Sequence, residues 1–357
     1  MKLALVSTWD TVCGIAFYAH QYMECMQRHG VKVKVFSEKD LPNVPNIQTP
    51  KTIPFEKAWS RYDRDWLEMA KKIIGWKADV VLIIHEAGMF GTDTRMKQLV
   101  STLQQAGIKV FIDIQCPDLK GYYESLDANG YICTTCPSEA YVPRGRTLVI
   151  PLPVRVYPEI SKEESRQVLG IPRNIQMGLV TGFLRAATGI PEIVSAWKDV
   201  VQAYPTARLY FAGGIHPFDT DYWLQQGKEL VKQLRLENNV FFTEKIHTDE
   251  ELMLFGAATD VFLNYRLRSN PAIVGGAIMR AISSRRPAIV YDCAPVAILN
   301  KGVIRVRSVE EMTQAIVKVF SDPMLERQLT DEMRELYAER NWEVIVPQII
   351  KFMEETP

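Results

Sequence analysis

Residues 178–190 read GLVTGFLRAATGI, and the fold is decided there. A short apolar run, Leu179 and Val180, stops at a turn of small residues that carries one cation, Arg185. A helical pattern then begins at Pro191 and runs through PEIVSAWKDVVQAYP. Strand, small-residue loop and helix together expose backbone N–H groups at a helix N-terminus, where phosphate is favoured. Pro191 suits a helix start, because its missing N–H has no partner to lose there. Two readings fit the stretch: a diphosphate cradle with Arg185 as its charge, or an ordinary βα turn.

The same alternation extends in both directions. LALVS (3–7) has strand length, and Ile15, Tyr18, Ala19, Tyr22, Met23 and Met26 then recur at helical spacing up to Gly30. VKVKVFS (31–37) alternates as a half-buried strand, and Gly14 sits near the start of the intervening helix as a close-approach or a packing glycine. Residues 38–60 read as irregular and 61–76 as an amphipathic helix. Residues 78–91 read as a buried strand carrying His85 and Glu86 at its end. A helix over 92–108, a strand over 109–117, a short strand and turn in 130–142 and a strand over 147–153 follow. The polar, Pro-containing stretch 154–174 holds the domain boundary. Beyond it, strands over 177–182, 207–214, 239–246, 260–266 and 287–292 alternate with helices over 191–203, 221–236, 249–259 and 275–285. A helical region with breaks runs from Val309 to Glu355. Such alternation makes parallel sheets covered by helices. The expected fold is α/β, with two doubly wound, Rossmann-like domains at 1–155 and 156–340 and the natural site in a cleft between them.

Composition narrows the classes. With 357 residues, two domains are expected. Lys+Arg and Asp+Glu are both 42, so no strongly basic nucleic-acid binder is indicated. No apolar run reaches membrane-spanning length, and the N-terminus reads as a strand rather than a signal peptide. Six cysteines in a chain this long suggest reduced thiols and a cytoplasmic location.

With these segments in order, the chain resembles the nucleotide-sugar-dependent retaining glycosyltransferases of the GT-B fold, in the large family that includes many bacterial mannosyl- and glucosyltransferases. CGIAFYA (13–19) is similar to the family's glycine loop, HEAGMFG (85–91) to a strand-end segment of one branch, and GFLRAATGI (182–190) to that branch's donor-phosphate loop. RLYFAGG (208–214), FFTEKI (241–246), DVFLNYR (260–266) and MRAISSRRPAIV (279–290) match successive donor-domain steps. NWEVIVPQIIKFME (341–354) resembles the last helix, which in the family crosses back onto the first domain.

The resemblance implies a diphosphate held between Arg185 and the loop at Gly14, with Gly182, Thr188, Gly213, Gly214 and His216 around it. Glu244 and Ile246 border the base. Tyr265, Arg268, Ser269, Gly275, Gly276 and Arg280 border ribose, phosphate and sugar. Cys13 and Gln115 lie on the acceptor side, where His85 and Glu86 position or deprotonate the acceptor hydroxyl. Arg185 stabilises the leaving diphosphate, so no metal and no cofactor is required. The implied donor is a UDP- or GDP-sugar. The acceptor is a glycan, a lipid-linked sugar, a small molecule, a nucleic acid or a protein, and an oligomer is compatible with the sequence.

Thr188 stands where the family usually has Lys, Gln115 where it has His, and Phe183 where Arg is frequent, though the GFLR branch shares that Phe. Residues 269–281 hold no acidic residue where the family has Glu. These departures keep two further readings open: a GT-B subunit that binds sugar nucleotide or a partner without turnover, and a transferase acting on a nucleic-acid base or protein side chain. Asp63-x-Asp65 and Asp219-x-Asp221 have metal-diphosphate spacing but abut helices, so they read as caps or surface charge. Cys133-x-x-Cys136 with Cys116 lacks the fourth ligand of a zinc site. His20, His29 and His247 carry no pattern, and Trp59, Trp66 and Trp76 read as core or cleft wall.

Overall fold

The computed structural model describes residues 1–42, 44–45, 52–63, 66–134, 142–217, 219–265, 276–293 and 299–357. Contacts divide the chain into two units, one of Met1–Pro153 with Trp342–Pro357 and the other Val154–Asn341.

The first unit contains β1 (Lys2–Ser7), α1 (Gly14–Arg28), β2 (Lys32–Glu38), β3 (Phe55–Trp59), α2 (Trp66–Trp76), β4 (Val80–His85), α3 (Ala87–Phe90), α4 (Thr94–Gln105), β5 (Lys109–Ile114), α5 (Lys120–Leu126), β6 (Gly130–Cys133) and β7 (Thr147–Val149). Its seven strands are parallel in the order β3-β2-β1-β4-β5-β6-β7. β4 is buried at every position, as a sheet covered on both faces requires of its central strands. Helix α4 starts where the Asp93 carboxylate accepts the Arg95 N–H at 3.0 Å, and it buries Met96, Leu99, Val100 and Leu103 on one face. The winding reverses between β1 and β4, which places a crevice at their carboxyl ends.

The second unit contains α6 (Lys162–Leu169), β8 (Met177–Thr181), α7 (Ile190–Ala203), β9 (Arg208–Ala212), α8 (Tyr222–Gln233), β10 (Val240–Phe242), α9 (Asp249–Ala258), β11 (Val261–Asn264), α10 (Gly276–Ser284), β12 (Ala288–Tyr291), β13 (Val303–Val306), α11 (Val309–Ser321) and α12 (Pro323–Arg340). Its six parallel strands take the order β10-β9-β8-β11-β12-β13, and the winding reverses between β8 and β11. The last helix, α13 (Trp342–Glu355), belongs to the first unit, where buried Trp342 stacks on Tyr22 of α1 at 4.5 Å. Among the described residues, no helix is long and apolar enough to cross a membrane.

The structure departs from the sequence reading in several places. Residues 38–60 are not wholly irregular: β3 pairs with β2, because Ala58 and Trp59 are buried and the Trp59 indole N–H donates to the Phe36 carbonyl at 3.0 Å. The strand read over 78–91 ends at His85, where α3 begins. In 154–174, Ser161 caps a helix by accepting the Glu164 N–H at 3.1 Å. The short strand β13 and the helix α5 had no counterpart in the sequence reading. Trp59 and Trp66 are core residues, packed with Phe90.

Gly178 opens the decisive stretch for a packing reason. A Cβ there would stand 2.7 Å from the ring of Trp197, the buried centre of α7. Gly178→Ala is therefore expected to destabilise the second unit by about 1–3 kcal/mol, as overpacking does. In a Trp197→Leu background most of that penalty should vanish. Urea unfolding of the four proteins in this cycle checks it, and an equal penalty in both backgrounds would show that the ring contact is not the cause.

Candidate functional site

At the carboxyl end of β8 the backbone turns sharply at Gly182 (φ +105°) and again at Gly189 (φ +68°), where α7 begins. Both ends are pinned to neighbouring strands by backbone contact. A Cβ on Gly213 would lie 1.8 Å from the Gly182 carbonyl oxygen, and one on Gly189 would lie 2.1 Å from the Tyr265 carbonyl oxygen. Only glycine permits such approaches. The Leu184 N–H donates to the Gly214 carbonyl at 3.0 Å, lacing the loop to the end of β9. The loop therefore sits at the carboxyl edge of β8, β9 and β11, over the point where the winding reverses.

Inside the loop, the Thr188 hydroxyl accepts the Arg185 N–H at 3.2 Å and donates to the Phe183 carbonyl at 2.8 Å. Its single proton holds the loop's own backbone. The Arg185 guanidinium lies over the Phe183 ring at 5.4 Å and is 43% exposed, with the Asp219 carboxylate 3.8 Å away. Phe183 meets His216 edge-on at 4.6 Å, and burial, together with the Arg185 charge, lowers the His216 pKa. So Gly182, Arg185, Thr188, Gly213, Gly214 and His216 converge, and Asp219 joins them as a charge partner of Arg185 rather than as a helix cap.

The neighbouring strand ends are held by a polar chain. The Gly213 N–H donates to the Thr243 hydroxyl at 3.0 Å. His247 Nε2 meets that hydroxyl at 2.8 Å, and His247 Nδ1 meets Glu251 at 3.1 Å. Glu251 accepts the Thr248 N–H at 3.0 Å and closes a capping box at the start of α9. His247 is thus a positioning residue, not an incidental one, and the Thr248-x-x-Glu251 spacing was its visible signal. Glu244 takes a left-handed backbone (φ 54°) and pairs with Lys228 at 2.6 Å, which leaves Ile246 as an exposed apolar side chain beside Gly214. Tyr265 is buried against Tyr291. Arg280 faces Asp249 at 3.5 Å, a carboxylate that it shares with Arg155 at 2.9 Å, so its charge is matched within the fold. Gly276 begins α10. Arg266, Arg268, Ser269 and Gly275 lie outside the described residues.

In the first unit, the carboxyl ends of adjacent β4 and β5 bring His85, Glu86 and Gln115 together. His85 is fully buried among Phe90, Tyr122 and Tyr123. Its Nδ1 lies 3.1 Å from the Tyr123 hydroxyl, and its Nε2 has no hydrogen-bond partner. Burial pushes its pKa down to about 4, so the ring is neutral at pH 7. Glu86 caps α3, accepting the Met89 N–H at 3.1 Å, and takes the Cys116 thiol at 3.7 Å. Gln115 donates to Asp113 at 2.7 Å, and the Tyr18 hydroxyl donates to the other Asp113 oxygen at 2.8 Å. Asp113 is fully buried, and burial pushes its pKa up to about 7. The sequence reading passed over Asp113, although a carboxylate inside the apolar run KVFIDI was its signal. Cys13 occupies the N-cap of α1 without a side-chain bond, and a Cβ on Gly14 would meet nothing within 4 Å. Of the two Asp-x-Asp pairs and the Cys-x-x-Cys pair, Asp65 and Cys136 lie outside the described residues. Asp221 bonds Gln225 at 3.1 Å and does not cap α8.

The sequence matches no protein-family model and no curated protein. Solved structures do match over the whole chain. Sucrose-phosphate synthase from Thermosynechococcus elongatus is 18% identical, with 99% of this chain and 98% of that chain covered and a TM-score of 0.75. A glycosyltransferase from Rickettsia africae is 13% identical over 99% and 98%, with a TM-score of 0.75. Anabaena HepE, in complex with UDP and glucose, is 15% identical over 99% and 100%, with a TM-score of 0.73. Two parallel Rossmann-like sheets flanked by helices, and these matches along the full length of the chain, establish that the chain has the GT-B fold.

Proposed function

We propose that the chain transfers a sugar from a nucleotide-sugar donor to an acceptor hydroxyl with retention of configuration. The observation that carries this reading is the 182–189 loop. It is pinned by glycine contacts to two strand ends, opens onto the N-terminus of α7 and bears an exposed guanidinium. These features support a diphosphate as its ligand. HepE in complex with UDP-glucose, on the same fold, supports a nucleotide-sugar donor. Ile246 offers apolar surface to a base, and Arg185 with the start of α7 meets the charge that develops on the leaving diphosphate. The reading assigns no role to a metal or cofactor. His85 and Glu86, engaged inside the first unit, act by positioning.

One observation favours a second reading, a sugar-nucleotide-binding subunit without turnover. Thr188 and Arg280 are both engaged inward, which leaves Arg185 to supply the loop's charge among the described residues. Thermal stability against UDP-, GDP-, ADP- and dTDP-sugars, followed by donor hydrolysis or transfer to a panel of sugars, separates the two. A donor at 100 times its Kd should stabilise the protein by about 2.7 kcal/mol. Stabilisation with turnover supports the transferase, stabilisation without turnover the subunit, and no shift with any donor overturns both.

Arg185→Ala should lower kcat by about 10²–10³ with little change in melting temperature, the magnitude of losing one preorganised donor to a developing anion. A near-wild-type rate would remove Arg185 from the mechanism. Asp219→Asn should tighten donor binding a few-fold, because the diphosphate no longer competes with an exposed carboxylate worth at most about 1 kcal/mol to Arg185. Weaker binding in this variant would contradict the competition.

Asp113 gives a pH prediction. Its folded pKa is raised, so its contribution to stability is fully present below the ordinary carboxylate range and is lost as pH rises through about 7. Asp113→Asn should therefore gain stability relative to wild type between pH 5 and pH 8, measured as the difference in melting temperature. A difference that stays constant across that range would show that Asp113 is not held protonated by burial.

A further inference from the structure

Three groups outside the sites above meet at the contact between the first and last helices of the first unit. Cys25 and His29 lie four residues apart at the C-terminal end of α1, so both project from one face of the helix. Glu343, in the first turn of α13, comes up against them. The Cys25 sulfur, a His29 ring nitrogen and a Glu343 carboxylate oxygen all lie within 4.8 Å of one another. His29 Nε2 is 2.9 Å from one Glu343 oxygen, and Arg28 Nε is 2.7 Å from the other. Cys25 is fully buried, whereas the His29 and Glu343 side chains are 32% and 38% exposed. The cluster has an inner sulfur donor and an outer rim open to water.

We propose that Cys25, His29 and Glu343 form a zinc site that clamps α13 to α1. The donor set decides the ion. One thiolate, one imidazole and one carboxylate suit Zn²⁺, whereas Mg²⁺ and Ca²⁺ take oxygen donors only. Tetrahedral Zn²⁺ with these ligands sets its donor atoms about 3.5 Å apart, so the ion slightly widens the 2.9 Å His29–Glu343 pair while side-chain rotation draws in the sulfur, at most 4.8 Å away. Water fills the fourth position on the exposed side. The ion enters between His29 and the Glu343 oxygen that faces it and replaces their hydrogen bond. Arg28 stays on the other oxygen and orients the carboxylate. Without metal, burial pushes the Cys25 thiol up to about 12, so the incoming ion displaces the thiol proton to solvent. Residues 25 and 29 of the first helix and 343 of the last then hold one ion, and binding couples to the docking of the last helix.

The test uses the full-length protein, reduced and freed of metal with a chelator, then titrated with Zn²⁺ against a chromophoric competitor. One equivalent should bind with a Kd below about 1 µM, raise the melting temperature and resist 100-fold excess Mg²⁺. His29→Gln, at a partly exposed position that leaves folding intact, should weaken that equivalent at least 10-fold. Cys25→Ser should do the same and abolish the thiolate-to-metal absorption seen when Co²⁺ replaces Zn²⁺. Binding weaker than 10 µM would overturn the proposal. So would tight binding unchanged in both variants, which would place the ion on other thiols such as Cys13, Cys116 or Cys293.

Discussion

Two carbonyl oxygens set the geometry of the second unit. The Gly182 oxygen occupies the space of a Cβ at 213, and the Tyr265 oxygen that of a Cβ at 189. Backbone packed on backbone has no side-chain rotamers with which to relax, so the ends of β8, β9 and β11 are held in one arrangement. The remaining polar contacts build on it. Thr243 bonds Gly213 because β9 ends there, and His247 and Glu251 then carry that order to the start of α9. Arg185 inherits its place from a loop that is closed internally by Thr188. A cation so placed needs little reorganisation when charge appears beside it, which is the condition for an electrostatic contribution to catalysis.

The architecture was legible because its physical basis is local. Apolar runs of five or six residues alternating with helical periodicity permit few folds other than covered parallel sheets, and GFLRAATG marks a strand–loop–helix step without any tertiary information. The misses were of two kinds. β3, with the sequence FEKAW, sits at a sheet edge, where Glu56 and Lys57 are matched by Lys34, Lys72 and Asp40, so its charges conceal the pattern. β13 and α5 are short and depend on neighbours far away in sequence. The candidate site was less legible than the fold. Position at a strand end says nothing about depth, and His85 lies in an aromatic core rather than at a surface. Whether a polar group turns inward is likewise decided by tertiary contacts, as Arg280 against Asp249 shows.

The two candidate regions handle ionisable groups in opposite ways. Around the 182–189 loop, Arg185, Asp219, Lys228 and Glu244 form partly exposed ion pairs. Such pairs exchange partners at a cost of about 1 kcal/mol or less. At the carboxyl ends of β4 and β5, His85 and Asp113 are buried, and desolvation moves the pKa of each toward its neutral form. The first arrangement suits an anion that arrives and leaves. The second suits a buried, preformed hydrogen-bonded support beneath the strand ends.

These contrasts bear on how much charge the loop can supply. A helix N-terminus acts as roughly half a positive charge, and Arg185 adds one. A departing nucleoside diphosphate carries more negative charge than that sum. A lysine at 188 would have closed the gap, and Thr188 does not, because its hydroxyl proton is directed at the Phe183 carbonyl. Arg280 does not close it either while Asp249 faces it. The sequence sets two further cations, Arg266 and Arg268, directly after Tyr265, the residue whose carbonyl meets Gly189. On the transferase reading, the charge that a lysine at 188 would carry has to come from other cations of the chain.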